Sequence, residues 1–466
     1  MSISPPKVIL RLGSHAEKEY FEKLAKSLDG MMFGANLLEI TPAATCSLIF
    51  ALIAKRGDVQ LPFYLDPMTY CFGPYIDPET GRKRTDLEAL KSERAEKRGS
   101  KKKIKSVKDS YVSLADELGS PFKDAVSDGK SCAAIDISTI SSANRDALCQ
   151  NVVNYQLTRV QNILSGDELM EANFGIKAVP AAVFAPYFYV NDSWAEDGLK
   201  AAIDLTKRTA ALKPYAPVNA IVCASHGILS NPRHVQYLID ELPKTKAEGV
   251  WFWFDHFDEF QAPLDKLIAF RTLVRGLSGK MQIFGLHGGY YSLLLAHDGL
   301  TGISHGVGYG EQKPVAQVIG AAAPTVRYYL PPIRRRVGVP DIQRCFQEVG
   351  ITTAAGFYSK ICNCQICKGV IGTDVTRFAT FGEMHRANTE SKKDTQTPAA
   401  AKMCRFHFLI NRFKERMVVA KMDAGARAEH VKGEAAPWRK CIPLQQYIGG
   451  ANDGYLEFWE KALTVK

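Results

Sequence analysis

From residue 7 to about 330 one pattern repeats: a short apolar run, a polar or glycine residue at its end, then a longer amphipathic stretch. Val8-Ile9-Leu10 reads as the first strand, and 17–28 behind it has helical spacing. The run 61–65 leads into Asp66, Cys132-Ala133-Ala134-Ile135 into Asp136, and 182–189 into a helix over about 193–212. The run 220–224 leads into Ser225-His226-Gly227, and 250–254, the most strand-like of all, into Asp255-His256. Further on, 281–286 leads into His287-Gly288-Gly289, and Thr301-Gly302-Ile303 into Ser304-His305-Gly306. Eight such units close into a (β/α)8 barrel, whose active site lies at the C-terminal ends of the strands. The expected fold class is therefore α/β, a (β/α)8 TIM-like barrel. An open doubly wound sheet is the competitor, but no G-x-G-x-x-G follows the first strand, which disfavours a dinucleotide-binding version.

The region after 345 has a different character. Cys362-Asn363-Cys364-Gln365-Ile366-Cys367 packs three thiols into six residues, and His407 lies near the start of a strong amphipathic stretch over 406–419. Three thiolates and one imidazole form a closed tetrahedral set for Zn²⁺, with no position left for water, so the site reads as a structural clip. His385 is a rival fourth ligand, nearer in sequence; a helix fixes the imidazole of His407, which favours it. The other eight of the eleven cysteines are scattered singly, and Cys46, Cys71, Cys132, Cys149 and Cys223 look like small buried hydrophobes rather than disulfide partners. The expected boundaries are 1–345 for the barrel, 346–420 for a zinc-binding subdomain inserted near the C-terminus, and 421–466 for a C-terminal helical segment packing on the barrel.

An apolar content of 46% supports a sizeable core. The net charge of +10 is unevenly spread. Arg82-Lys83-Arg84 with Lys97-Arg98, Lys101-Lys102-Lys103 and Lys105 forms one basic stretch, and Arg334-Arg335-Arg336 a second. Beside a zinc appendage, such runs point to a polyphosphate partner. No apolar run is long enough to span a bilayer and the N-terminus lacks a signal-peptide pattern, so no membrane partner and a cytoplasmic location are expected.

The chain resembles the tRNA-guanine transglycosylase superfamily, (β/α)8 barrels with a late zinc subdomain ligated by C-x-C-x₂-C and a histidine. His407-Phe408-Leu409-Ile410-Asn411-Arg412-Phe413-Lys414-Glu415 resembles that family's zinc-histidine helix. Gly249-Val250-Trp251-Phe252-Trp253-Phe254-Asp255 occupies the place of its apolar strand, 221–227 resembles the strand ending in Gln-Gly-Gly, and 280–289 the strand ending in Gly-Val-Gly. There are departures. Asp66-Pro67-Met68-Thr69-Tyr70-Cys71 stands where the family has Asp-Ser-Gly-Gly-Phe-Gln, and Gly299-Leu300-Thr301-Gly302-Ile303-Ser304-His305 stands where it carries its nucleophile. The stretch 108–119 and these departures resemble the divergent branch that inserts a 7-deazaguanine of the preQ0 type into DNA.

What the resemblance implies is exchange of guanine in DNA for a 7-deazaguanine through a covalent aspartyl intermediate, by a glycosyltransferase of the pentosyltransferase type. Such chemistry parallels retaining glycosidases, with one carboxylate trapping C1′ and one acid protonating the departing base. Asp66 sits where the family has its acid/base aspartate, and Asp136 where it has a base-recognising aspartate. Asp255 is the candidate nucleophile, with Asp258 as fallback. His226, His287, Ser304 and His305, with His256, fall at expected strand ends and are candidates to bind sugar or phosphate or to assist proton transfer. Tyr70, Phe72, Tyr75, Trp251 and Trp253 offer stacking surfaces for a base taken out of a duplex, although strand aromatics usually build core. Structural zinc is the only cofactor expected. The expected partners are nucleic acid (DNA first, tRNA as the alternative), a small 7-deazaguanine base, and a second copy of the chain or accessory DNA-modification proteins. The competing readings are a tRNA enzyme, a non-catalytic zinc-stabilised nucleic-acid-binding barrel, and a metal-dependent hydrolase. The hydrolase would open with His-x-His on its first strand, and Val8-Ile9-Leu10-Arg11-Leu12-Gly13 has none.

Overall fold

The computed structural model describes residues 3–54, 61–84, 109–127, 135–164, 178–308, 311, 313–316, 325–386, 394–449 and 454–465. Two compact units emerge, one of Lys7–Asp258 with Ala269–Gly320, the other of Met1–Pro6, Glu259–Ile268 and Ala321–Lys466. Among the described residues, no helix is long and apolar enough to cross a membrane.

The larger unit is a nearly closed barrel of parallel strands with helices between them. In chain order the strands are β1 (Lys7–Leu12), β2 (Gly30–Gly34), β3 (Phe63–Asp66), β4 (Val183–Phe184), β5 (Tyr189–Val190), β6 (Val218–Ser225), β7 (Gly249–Asp255), β8 (Gln282–Leu286) and β9 (Gly302–Gly306). β1 pairs with both β2 and β9, and the sheet runs β3-β2-β1-β9-β8-β7-β6-β4, with β5 also on β6. The Ala181 N–H donates to the Phe63 carbonyl at 2.8 Å, carrying the ring from the β4 side back to β3. Since β4 and β5 both lie on β6, the run expected at 182–189 is one barrel strand interrupted by Pro186 and its neighbours, and the barrel has eight positions. The strand expected at 132–135 falls mostly outside the described residues; Ile135 is bonded to the Phe72 carbonyl, and Asp136 opens a turn before the helix Ser142–Leu164.

Side chains alternate across a strand, so register decides which point into the barrel. Ile9 pairs with Ser304, Met32 with Tyr64, Cys223 with Trp253, and Trp251 with Phe284, which puts these on the inner face. Trp251 stacks on Phe284 with centroids 4.3 Å apart and meets Tyr64 and Phe184 edge-on at 5.2 and 5.5 Å. This plug closes the N-terminal half of the barrel. Trp251→Ala is expected to cost about 3–5 kcal/mol, read as a lower urea midpoint with an unchanged slope.

The smaller unit is built on the antiparallel pair β10 (Tyr328–Leu330) and β11 (Arg335–Val337) and on the helix Pro398–Lys421. Thr397 caps that helix by accepting from Ala400 N–H, and Pro398 occupies its first turn. Cys362, Cys364, Cys367, this helix and the described residues after 420 all belong to the smaller unit. β10 belongs to the same unit, and its Tyr329 carbonyl is bonded to His407.

Candidate active site and metal centre

Three residues that are not glycine take left-handed backbone within two residues of the ends of barrel strands: Met68 (φ 53°) after β3, His256 (φ 58°) after β7 and His287 (φ 68°) after β8. Each costs on the order of 1 kcal/mol or more, and such strain gathers where function holds it. All three lie at the C-terminal end of the barrel.

At that end Arg11 of β1 and Asp66 of β3 form a buried ion pair, Nη2 to Oδ2 at 2.6 Å, with side-chain exposures of 7% and 0%. Asp66 Oδ1 accepts the Tyr187 hydroxyl at 2.7 Å and the Met68 N–H at 2.9 Å. A Cβ on Gly34 would stand 2.8 Å from Met68 Sδ and 3.6 Å from Arg11 Nη2, so a glycine there keeps room for this cluster. Tyr70 stacks on Tyr187 at 5.6 Å and meets Trp253 edge-on at 5.0 Å, and Trp253 in turn touches the His287 ring at 4.9 Å.

Asp255, at the end of β7, is fully buried in different surroundings. Its Oδ2 accepts the Tyr75 hydroxyl at 2.8 Å and its Oδ1 the Val315 N–H at 2.8 Å. Burial raises its carboxyl above the usual range, against the Val315 N–H, His256 and Tyr75, which favour the anion. Burial and the Asp255 charge likewise push the Tyr75 and Tyr189 phenols up, so both stay protonated. The segment bearing Val315 also accepts from Trp253 Nε1 through the Lys313 carbonyl at 2.8 Å. The thiol of Cys223 is raised by burial and then by Asp255 and Asp66, which sets it within electrostatic reach of both carboxylates. The Tyr189 hydroxyl and Ser304 Oγ, both buried, have no hydrogen-bond partner among the described residues. A carboxylate held by arginine, a second carboxyl raised by burial and two hydroxyls unpartnered among the described residues thus share one end of the barrel.

The remaining candidates are placed elsewhere. Asp136 is exposed; its Oδ1 accepts from Ser138 N–H and Oγ, capping a turn. It lines a cavity of about 630 Å³ with Phe188, Trp194, Arg145 and Lys200 of the flanking loops and helices. His226 follows β6, where Ser225 is bonded to Asp192 at 2.7 Å. His305 pairs with Leu10, one residue out of step with Arg11, so alternation turns it to the outer face, and its Nδ1 meets the Gly306 carbonyl at 2.9 Å. Of the residues expected from sequence, Asp66, Asp255, His287 and Ser304 come together. Arg11, Tyr187 and Tyr189 were not among them; the one available signal was a charge inside the apolar run Val8-Ile9-Leu10-Arg11-Leu12.

The basic runs also separate. Arg334 is buried, paired with Glu434 and 3.6 Å from Glu415. Arg335 lies over the Phe260 ring at 4.9 Å, and Arg336 over Phe408 at 4.0 Å. This run holds the smaller unit together instead of gripping phosphate, because its guanidinium groups are engaged inside it. Arg84 is buried over Tyr75, Arg82 and Lys83 are exposed, and 97–105 lies outside the described residues. Residues 1–320 carry as many acids as bases, so the whole formal net charge of +10 falls within 321–466.

The candidate metal centre lies in the smaller unit. Cys362, Cys364, Cys367 and His407 are all buried and offer ligand atoms within 4.8 Å of one another. Cys364 Sγ and Cys367 Sγ stand 3.5 and 3.3 Å from His407 Nδ1. A tetrahedral ion with bonds of ~2.3 Å to sulfur and ~2.0 Å to nitrogen sets those atoms ~3.5 Å apart, so the group could hold a metal ion and is compatible with zinc. His407 Nε2 lies 2.7 Å from the Tyr329 carbonyl and donates to it, which leaves the Nδ1 lone pair to face the thiols. Tyr328 stacks on the imidazole at 4.1 Å, and its hydroxyl lies 3.1 Å from Cys367 Sγ. Burial pulls His407 down, yet Cys362 and Cys364 outweigh it and raise it to about 9; hydrogen bonds from Cys364 and Cys367 lower Cys362. An incoming ion therefore displaces protons. His385 lies on an exposed strand, Met384–Arg386, away from this group.

Fold and site together define an α/β barrel protein with a Cys₃His centre in a second unit. No protein-family model matches the chain, and no curated protein is significantly similar to it.

Proposed function

We propose that this chain is a transglycosylase of the kind its sequence resembles, exchanging guanine in DNA for a preQ0-type base through a covalent aspartyl intermediate. The observation that carries the reading is the pair of buried carboxylates at one barrel end, one ion-paired with Arg11 and the other raised by burial. Retaining exchange at C1′ needs that division of labour. The resemblance gives the acid/base role to Asp66 and leaves Asp255 as nucleophile; the environments favour the reverse. Asp66, held by Arg11, is the better nucleophile, and Asp255 the better acid for the departing purine and base for the incoming one. The Tyr189 and Ser304 hydroxyls, unpartnered among the described residues, suit the polar atoms of sugar or base, and Tyr70 and Trp253 offer faces for stacking. Zinc is the ion we assign to the Cys₃His group, where it would supply structure alone. The excess of positive charge after residue 320 suits a polyanionic partner.

The test is a base-exchange assay offering labelled preQ0 to purified protein with duplex DNA or with unmodified tRNA. Label in DNA supports the reading, label in tRNA moves it to the orthodox substrate, and label in neither favours a binding-only barrel. Asp66→Ala is expected to abolish exchange, and Asp255→Asn to slow it roughly 10²–10⁴-fold.

Asp255→Asn also has an expected effect that needs no activity. A carboxyl whose folded pKa lies above its unfolded value of ~3.9 takes up a proton on folding between the two, so stability falls as pH rises through that window. The asparagine variant should therefore be more stable than the parent at pH 7, with the gain vanishing towards pH ~4. Equal urea midpoints at pH 7 would remove the raised carboxyl from this account.

A further inference from the structure

We propose that His256, held between Asp77 and Glu79, is the path by which protons pass between buried Asp255 and solvent. The inference rests on reading Asp255 as the group that carries the proton during exchange. A carboxyl with no exposure must recover its proton from somewhere, and its phenol neighbours Tyr75 and Tyr189 are too weakly acidic to relay one. His256 follows it directly in the chain, and its left-handed backbone sends the ring back along the loop after β3. Its Nε2 lies 3.9 Å from Asp255 Oδ1 and 3.5 Å from Asp77 Oδ2, and its Nδ1 lies 3.2 Å from Glu79 Oε1. Side-chain exposure rises along this row, from 0% at Asp255 through 16% at His256 to 61% at Glu79.

Asp77 is fixed for the task. Its Oδ1 accepts from Glu79 N–H, Thr80 N–H and Thr80 Oγ1, at 3.1, 2.8 and 2.9 Å, which leaves Oδ2 to face the imidazole. Burial raises its carboxyl, but the Thr80 bonds and His256 outweigh that and hold it low, so it stays an anion beside the ring. The titratable groups facing His256 are thus Asp77 and Glu79 from the loop and Asp255 from β7. In the transfer, the Nε2–H bond of the imidazolium breaks and an O–H bond forms on Asp255. The neutral ring keeps its Nδ1–H against Glu79 and regains a proton from solvent at the vacated Nε2, on the side of Asp77. The 3.9 Å gap is closed by a small ring rotation or by one bridging water.

Two measurements on the full chain decide it. The first is the NMR titration of the His256 ring in the parent protein and in Asp255→Asn. Loss of the carboxylate should lower the imidazole midpoint by at least about half a pH unit. An unchanged midpoint overturns the proposal whatever the protein's activity. The second is exchange by His256→Gln, expected to fall tenfold or more in kcat with little change in KM, and to recover in added imidazole. No recovery, or a change in KM alone, overturns it. Coupled titration in a protein that exchanges no base would keep the proton path and sink the base-exchange reading instead.

Discussion

Cys364→Ser should empty the proposed zinc site and melt the unit around it. Serine keeps what the thiol does locally, because Cys364 caps the helix Gln365–Ile371 by accepting from Cys367 N–H, and a hydroxyl does that as well. What serine does not keep is a soft anionic ligand. Structural zinc in small zinc peptides is worth ~10–16 kcal/mol, against a typical domain stability of ~5–15 kcal/mol. The loss therefore exceeds any other single-residue effect expected here. Mass-spectrometric metal content should fall from one ion per chain to none, and a chelator should reproduce the change in the parent. One bound ion in the variant, or unchanged melting without it, would remove the Cys₃His group from the account of stability.

Arg11→Met is the second large effect. The substitution keeps the length of the side chain and removes the charge, leaving Asp66 fully buried with the Tyr187 hydroxyl and Met68 N–H as its remaining donors. Breaking a buried pair on one side costs about 3–5 kcal/mol, because the remaining charge stays desolvated. The double variant Arg11→Met with Asp66→Leu should recover most of that, since replacing both members by apolar groups is often neutral or better. A double variant no more stable than the single one would mean that the pair does not act as a unit. On the function proposed above, neither variant exchanges bases, so the two effects separate stability from chemistry.

Much of this barrel is legible in the residues alone. Strand β7 was recognisable from Val250-Trp251-Phe252-Trp253-Phe254, and Asp66 and Asp255 were recognisable as strand-end carboxylates, because apolar runs that stop at a polar residue are local signals. The cysteine cluster was legible for the same reason, its ligands being packed into six residues. His305 was misplaced by one step of register: only its pairing with Leu10, on the opposite face from Arg11, shows that it faces away from the barrel interior. Arg334-Arg335-Arg336 looked like a solvated phosphate grip, and Glu415, Glu434, Phe260 and Phe408, all distant in sequence, make it an internal brace.

The sequence by itself determined the alternation of strands and helices, the carboxylates at strand ends and the dense thiol cluster, since each depends on spacing within a few residues. Only the tertiary structure decided which carboxylate is paired and which is merely buried. Arg11 meets Asp66, and Tyr75 meets Asp255 across 180 residues of chain. The protonation preference of a buried acid is set by its neighbours in space, and periodicity along a chain carries no information about them.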